Sequence, residues 1–257
     1  MKYIDIHCHL NLEQFDFDYK DAISRAREKE VGMIVVGTNF KTSEKAIKIA
    51  EENENIWAIV GLHPTEIPCE TFDFDAYMKL ARHPKVVGIG ECGFDYFRHG
   101  FEHKVLQQEV FEKQIAIANE VKKPLMLHLR SGIKPEENAY RDALEIVKMH
   151  AKVHGDAHFF AGSLEESKQF LDLGFRLSFN GVITFARNYD EIIKNTPLNM
   201  IMSETDAPFV APIPYRGERN EPVYVIEVAN KIAEIKGESV EKVLTHLVDN
   251  ARKLFSI

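Results

Sequence analysis

The chain has 257 residues, of which 45% are hydrophobic and 28% charged, with 32 Lys and Arg residues against 40 Asp and Glu residues. This composition excludes a disordered chain, and the length suffices for a buried core that needs no disulfides. The net charge of −8 argues against a broad basic surface for nucleic acid. It leaves open a local site whose positive charge comes from metal ions.

The cysteines and the N-terminal segment indicate a cytoplasmic protein. Cys8, Cys69 and Cys92 are an odd number at unrelated spacings, which fits neither a disulfide framework nor a zinc ribbon. We therefore expect reduced thiols in a cytosolic protein. No window approaches the ~18 consecutive apolar residues of a membrane span, and the first residues do not resemble a signal peptide, so we expect no membrane association.

Short apolar runs alternate along the chain with longer amphipathic stretches. The apolar runs are typical of parallel strands covered on both faces. They lie at residues 3–8, 32–38, 56–62, 86–91, 124–129, 157–160, 175–179 and 199–205. Helical patterns lie between them, for example at 18–29, 43–52, 111–121 and 164–173, and Ser43, Ser163 and Ser239 are predicted helix N-caps.

Eight strands, each followed by a helix at about 30 residues per unit, predict an α/β fold of the (β/α)8 TIM-barrel type. The competing fold is a doubly wound open sheet, whose Gly-rich phosphate turn should follow the first strand. That place holds His7, Cys8 and His9 instead. Residues 222–236 and 239–255 read as two successive helices, the second an extra C-terminal helix that closes the barrel. Without a linker or composition break, residues 1–257 are predicted to form a single domain.

Metal-binding side chains occur where the predicted strands end. His7 and His9 point to the same face of the first strand while Cys8 points away, because side chains alternate along a strand. Burying such polar groups without partners is costly, so they either meet one another or are individually satisfied strand ends. In a barrel they meet at one rim, and six donors suit two adjacent ions better than one tetrahedral ion. The six are His7, His9, Glu91, His128, His158 and Asp206.

The segments around these residues resemble the TatD-type metal-dependent deoxyribonucleases of the amidohydrolase superfamily. The resemblance rests on seven motifs in order, at residues 5–10, 61–64, 88–96, 127–130, 158–162, 204–208 and 214–222. It departs from the family at Thr65, at Tyr215, at Asn180 and in a longer segment at 131–141, which puts the substrate in doubt.

The resemblance implies a TIM barrel that hydrolyses phosphodiester bonds with divalent metals. His7, His9 and Asp206 would hold the first ion, His128 and His158 the second, and Glu91 would bridge them. The ions would be Zn, Mn or Mg, and would supply a bridging hydroxide at neutral pH.

Two carboxylates are candidates for further roles in the reaction. Asp206 is the candidate to accept the proton of the attacking water, with pure ligation as the alternative. Glu204 shares a strand face with Asp206 and is predicted to orient a histidine ligand.

Four further side chains are predicted to act on the substrate. His63 would lie near its phosphate and donate to the leaving oxygen, or else serve only as a structural loop histidine. Arg130 and Arg216 would each bind phosphate through a bidentate guanidinium. Tyr96 would stack on a base, or pack within a loop.

These features predict an exonuclease-type deoxyribonuclease. The acidic charge balance favours DNA ends or short oligonucleotides as substrates over long duplex DNA, and no obligatory protein partner is evident. The first alternative is hydrolysis of an amide, lactone or aminoacyl ester at the same site. The others are a non-catalytic binding protein and a different phosphoesterase with a similar first strand.

Overall fold

The computed structural model describes residues 1–98 and 101–257, and eight parallel strands form its sheet. Each strand pairs with the next in chain order. They are β1 Tyr3–Cys8, β2 Val31–Val36, β3 Ile56–Val60, β4 Val86–Asp95, β5 Leu125–Arg130, β6 Gly155–Ala157, β7 Arg176–Phe179 and β8 Ile201–Ser203. The helices are α1 Tyr19–Glu28, α2 Phe40–Glu51, α3 Phe74–Ala81, α4 Lys104–Val121, α5 Ala139–His150, α6 Leu164–Asp172, α7 Asp190–Asn195, α8 Val225–Lys236 and α9 Val240–Phe255.

The sheet closes between its first and last strands. A parallel bridge joins Cys8 to Ala207, whose carbonyl accepts the His9 N–H at 2.7 Å, and the Asp206 N–H donates to the His7 carbonyl at 2.9 Å. The predicted (β/α)8 barrel is therefore confirmed. The same closure sets three of the predicted metal ligands side by side.

The extra C-terminal helix packs against one end of the barrel interior. Side chains from six strands, such as Ile4 and Met126, share one apolar cluster with Leu254 and Phe255 of α9. Residues of six strands of a closed sheet can meet only inside it, so α9 closes the barrel, as predicted, and the end that it covers is the amino end of the strands. No helix in the described part of the chain has the length and apolar character to cross a bilayer.

The helix N-caps agree with the prediction in two of three cases. Ser163 and Ser239 accept N–H groups at the starts of α6 and α9. The prediction for Ser43 is wrong, because Ser43 is buried inside α2. Asn39 caps that helix instead, in a capping box with Thr42.

Strand β4 is longer than predicted, since it continues from Glu91 to Asp95. Two glycines allow it to lie close to β5. Gly90 and Gly93 have φ of 152° and 135°, and a Cβ at either would lie 2.4 Å from a carbonyl oxygen of β5. This close approach brings the side chains of Glu91 and His128 together.

Candidate metal centre

A cavity of about 680 Å³ opens at the carboxyl ends of the strands. This is the face on which barrel enzymes carry their active sites. The six predicted ligands converge at its base, and all of them except His7 line the cavity itself. His63 lines it as well.

One oxygen of the buried Glu91 carboxylate faces three histidines. Its Oε1 lies 2.7 Å from Nδ1 of His128 and 2.9 Å from Nε2 of His158. Nε2 of His63 lies 3.5 Å from the same oxygen. This half of the cluster therefore gathers imidazoles from three separate parts of the barrel around one oxygen atom.

The other oxygen of Glu91 faces the two histidines of the first strand. Its Oε2 lies 3.3 Å from Nε2 of His7 and 3.7 Å from Nε2 of His9, and Oδ1 of Asp206 lies 3.4 Å from the same His9 nitrogen. The two oxygens of Glu91 thus lie against two different groups of donor atoms.

The donor atoms of this cluster fit divalent ions. Nδ1 of His9 donates to the Val36 carbonyl at 2.9 Å, which leaves a lone pair on Nε2 of the neutral ring. That nitrogen lies 3.2 Å from Nε2 of His7 and faces two carboxylates. Converging imidazole nitrogens and carboxylate oxygens are the ligand set of zinc and related ions.

The neighbouring charges fix the ionisation of the central carboxylate. Burial alone would raise the pKa of Glu91, but His158, His63 and His7 outweigh it and hold that pKa well below its ordinary value. Burial and the neighbouring His128 lower the pKa of His63 to about 4. At neutral pH Glu91 is therefore ionised and His63 is neutral.

Glu204 lies behind the cluster rather than in the cavity. It is fully buried, and its Oε1 accepts Nδ1 of His158 at 3.2 Å and the Phe159 N–H at 2.9 Å. Its Oε2 accepts the Ser178 hydroxyl at 2.7 Å. These bonds turn Nε2 of His158 toward Glu91, which is the orienting contact predicted for Glu204.

Asp95 makes the equivalent contact to His128, and this contact is not among the predicted ones. Its Oδ2 lies 3.1 Å from Nε2 of His128, which leaves Nδ1 to face Glu91. Although burial opposes it, the His128 hydrogen bond lowers the pKa of Asp95 to about 2. The signal was present: Asp95 follows Glu91 by four positions, and an even spacing along a strand keeps side chains on one face.

His63 is oriented by the residue that departs from the family pattern. Its Nδ1 accepts the Thr65 N–H at 3.1 Å and lies 2.6 Å from the Thr65 hydroxyl. An imidazole nitrogen that accepts an N–H carries no proton, so the ring proton sits on Nε2, on the side of Glu91.

The predicted substrate-binding residues do not all reach the cavity. Arg130 lines it, with its guanidinium 4.2 Å above the ring of Phe97. Arg216 is not among the lining residues, because its exposed guanidinium lies over Phe185 and donates to a backbone carbonyl. Its prediction as a phosphate contact is therefore not supported by its position.

Tyr96 is a packing residue, and its prediction as a base-stacking residue is wrong. Its side chain is only 2% exposed and its hydroxyl donates to Asp142 at 2.8 Å. The ring lies against Phe94 and Phe101. The alternative of a packed loop is the one that the structure bears out.

The cysteines fall into two kinds. Cys8 and Cys92 are buried in the layer between strands and helices, so they face away from the metal centre as predicted. Cys69 is exposed and lies six residues after His63. Among these three thiols only that of Cys69 is accessible.

An α/β barrel with this cluster at the carboxyl ends of its strands belongs to the class of metal-dependent hydrolases. The family model for TatD-related DNase matches residues 4–256, and the chain belongs to that family. The resemblance stated from the sequence is thereby confirmed.

Relatives and solved structures agree with this assignment over nearly the whole chain. The metal-dependent hydrolase YabD of Bacillus subtilis is 40% identical over 98% of both chains. The 3′-5′ ssDNA/RNA exonuclease TatD of Pantoea ananatis is 34% identical over 98% of this chain and 99% of its own. The crystal structure of the TatD homologue YjjV from Escherichia coli covers all of this chain and 98% of its own, with a TM-score of 0.88 at 26% identity.

Proposed function

We propose that this hydrolase is an exonuclease that cleaves phosphodiester bonds at DNA ends or in short oligonucleotides, with two divalent ions, Zn, Mn or Mg. The observation that carries the proposal is the Glu91 carboxylate, each of whose oxygens faces a separate group of donors. The relative from Pantoea ananatis, named as an exonuclease for single-stranded DNA and RNA, supports the choice of substrate.

The six ligands divide between two positions. His7, His9 and Asp206 form one donor group, with their ligand atoms within 4.8 Å of one another. His128 and His158 lie on the other oxygen of Glu91 and form the second group with it. Divalent ions held there would bind phosphate oxygens and lower the pKa of a water molecule.

Asp206 is the group that we propose to accept the proton of the attacking water. It lines the cavity, and His9 and other neighbouring histidines outweigh burial and lower its pKa, so it is ionised at neutral pH. Its backbone has φ of 56°, an unusual conformation for a residue other than glycine and one that recurs at active sites. We propose that the neutral His63 donates a hydrogen bond from its Nε2–H to the leaving oxygen, which then takes its proton from solvent, since that N–H lies on the cavity side of the ring.

The test combines elemental analysis of the purified protein with digestion of end-labelled oligonucleotides. Wild type should contain a divalent metal and release nucleotides from a strand end. Asp206→Asn should lower the rate by at least about a hundredfold, the usual contribution of a general base. Asp172→Asn, an exposed residue of α6, is the matched control and should leave the rate unchanged.

Two results would overturn the proposal. One is an Asp206→Asn variant that digests DNA at nearly the wild-type rate when Mn²⁺ is added. The other is turnover of lactone or aminoacyl-ester substrates at rates well above those for oligonucleotides, which would favour the alternative hydrolase activity.

A further inference from the structure

We propose that Arg98 and Arg130 form a second phosphate subsite beside the metal centre, which binds the phosphate next to the one that is cleaved. The proposal rests on the proposed nuclease function and narrows its substrate to a chain with at least two phosphates. No sequence motif singles out Arg98, whereas Arg130 follows the ligand His128 by two positions.

The strand pairing places Arg130 on the same side of the barrel as Arg98. Arg130 is the last residue of β5 and pairs in register with Asp95, the last residue of β4, and its carbonyl accepts the Tyr96 N–H at 2.8 Å. Arg98 follows three residues after Asp95. Both arginines line the cavity that contains the metal ligands.

The backbone of Arg98 is tied to the metal centre through one carboxylate. Oδ1 of Asp95 accepts the Arg98 N–H at 2.8 Å, while Oδ2 of the same side chain holds Nε2 of His128 at 3.1 Å. The base of the Arg98 side chain is therefore fixed relative to a predicted metal ligand, as a subsite next to the reacting phosphate requires.

Neither arginine has an acidic partner in residues 1–98 and 101–257. The structure pairs several of the others at short range: Arg25 lies 2.7 Å from Glu221, and Arg219 lies 2.6 Å from Asp18. Arg130 instead stacks on Phe97, which leaves the N–H groups at its edge free for a bidentate anion.

Among the groups that line the cavity, Arg98 and Arg130 are best placed to bind an anion. Glu66 also lines it but accepts from Asn39 at 3.4 Å rather than from an arginine. Phe159 and Phe209 also line it, the latter with its N–H on the Asp206 carbonyl, and neither offers a charge to a phosphate. A chain whose scissile phosphate lies on the metal ligands therefore meets positive side chains at Arg98 and Arg130.

The experiment compares a substrate with one phosphate and a substrate with many. Bis(p-nitrophenyl) phosphate and a labelled single-stranded oligodeoxynucleotide are hydrolysed under saturating Mn²⁺ by wild type, Arg98→Ala, Arg130→Ala and Arg98→Lys. The matched control is Arg252→Ala, an exposed arginine on α9 at the other end of the barrel.

For each alanine variant we expect KM for the oligonucleotide to rise about tenfold, the loss of roughly one charged contact, while kcat changes less. Hydrolysis of the single-phosphate substrate should stay within twofold of wild type. The slope of log KM against log salt should fall by about 0.7 for each arginine removed, and Arg98→Lys, which keeps the charge, should keep the wild-type slope.

Each contrary result has a distinct meaning. The subsite is overturned if the alanine variants match Arg252→Ala on the oligonucleotide, or if they lose both substrates equally. It is also overturned if wild type cleaves the single-phosphate substrate but not the oligonucleotide. Wild-type protein that binds metal and cleaves neither would overturn the proposed nuclease function as well.

Discussion

The two ends of the barrel interior are built from opposite kinds of side chain. At the amino end, residues of six strands meet α9 in an apolar cluster, whereas at the carboxyl end the strands present imidazoles and carboxylates. Burial of apolar surface stabilises the fold, while burial of ionisable groups costs free energy unless they are paired. The free energy gained by burying the apolar cluster therefore offsets the cost of burying the ionisable groups at the other end.

The contrast appears within single strands. In β5, Met126 belongs to the apolar cluster, His128 lies on Glu91, and Arg130 lines the cavity two residues further on. The last strand repeats this order, with Met202 in the apolar cluster and Glu204 behind His158. Every second residue of a strand points into the barrel. Inward residues near the amino end of a strand thus stabilise the fold, and those near its carboxyl end belong to the candidate site.

The largest expected effect is at the centre of the polar end. Glu91→Gln removes the charge that both donor groups share. Loss of a residue that only orients a ligand lowers metal affinity by up to about a hundredfold, so loss of the Glu91 charge should lower it by more than that. Calorimetric titration of each protein with Mn²⁺ measures this affinity. Glu66→Gln, at the cavity but outside the cluster, should bind metal normally, and wild-type affinity in Glu91→Gln would refute the bridging role.

The apolar end should respond in stability rather than in metal affinity. Phe255→Ala empties a buried position of the cluster that α9 shares with the strands, and should lower the free energy of unfolding by about 3 kcal/mol. Urea unfolding measures this, with the exposed neighbour Lys253→Ala as control, which should change it by less than about 0.5 kcal/mol. A folded Phe255→Ala variant with weakened Mn²⁺ affinity would mean that the two ends are coupled.

The smallest effect is expected at Asp95, which contacts the predicted ligand His128. Asp95→Asn keeps the volume of the side chain but weakens its hydrogen bond to His128, so Mn²⁺ affinity should fall about 10- to 100-fold. The exposed Asp172→Asn is the control in the same titration. Equal affinity in the two variants would show that Asp95 does not orient the ligand.

Much of the fold follows from patterns that the sequence displays locally. β1 has the predicted bounds, Tyr3–Cys8, because its apolar residues and its histidines sit in one short run. The sequence pattern predicts an end of β4 at Glu91, because a charged residue usually ends an apolar strand. In the structure the strand continues to Asp95 with both carboxylates buried. Asn and Ser are equally favoured at helix N-caps, so residue type alone does not distinguish Asn39 from Ser43 as the cap of α2.

The site was predictable where single residues end strands and unpredictable where distant groups meet. The convergence of His7 with Asp206 follows from barrel closure alone. The burial of Tyr96 against Asp142 and the position of Arg216 over Phe185 each depend on how the chain folds back after a strand. Those contacts are long-range, and no local pattern encodes them.

The difference between the cysteines has a practical consequence for following the protein in solution. Because Cys8 and Cys92 are shielded, a maleimide fluorophore added to the native chain should attach at Cys69 alone. That position belongs to the same loop as Glu66, on the rim of the cavity. A single dye there would report the arrival of an oligonucleotide by its change in emission, without any engineered cysteine.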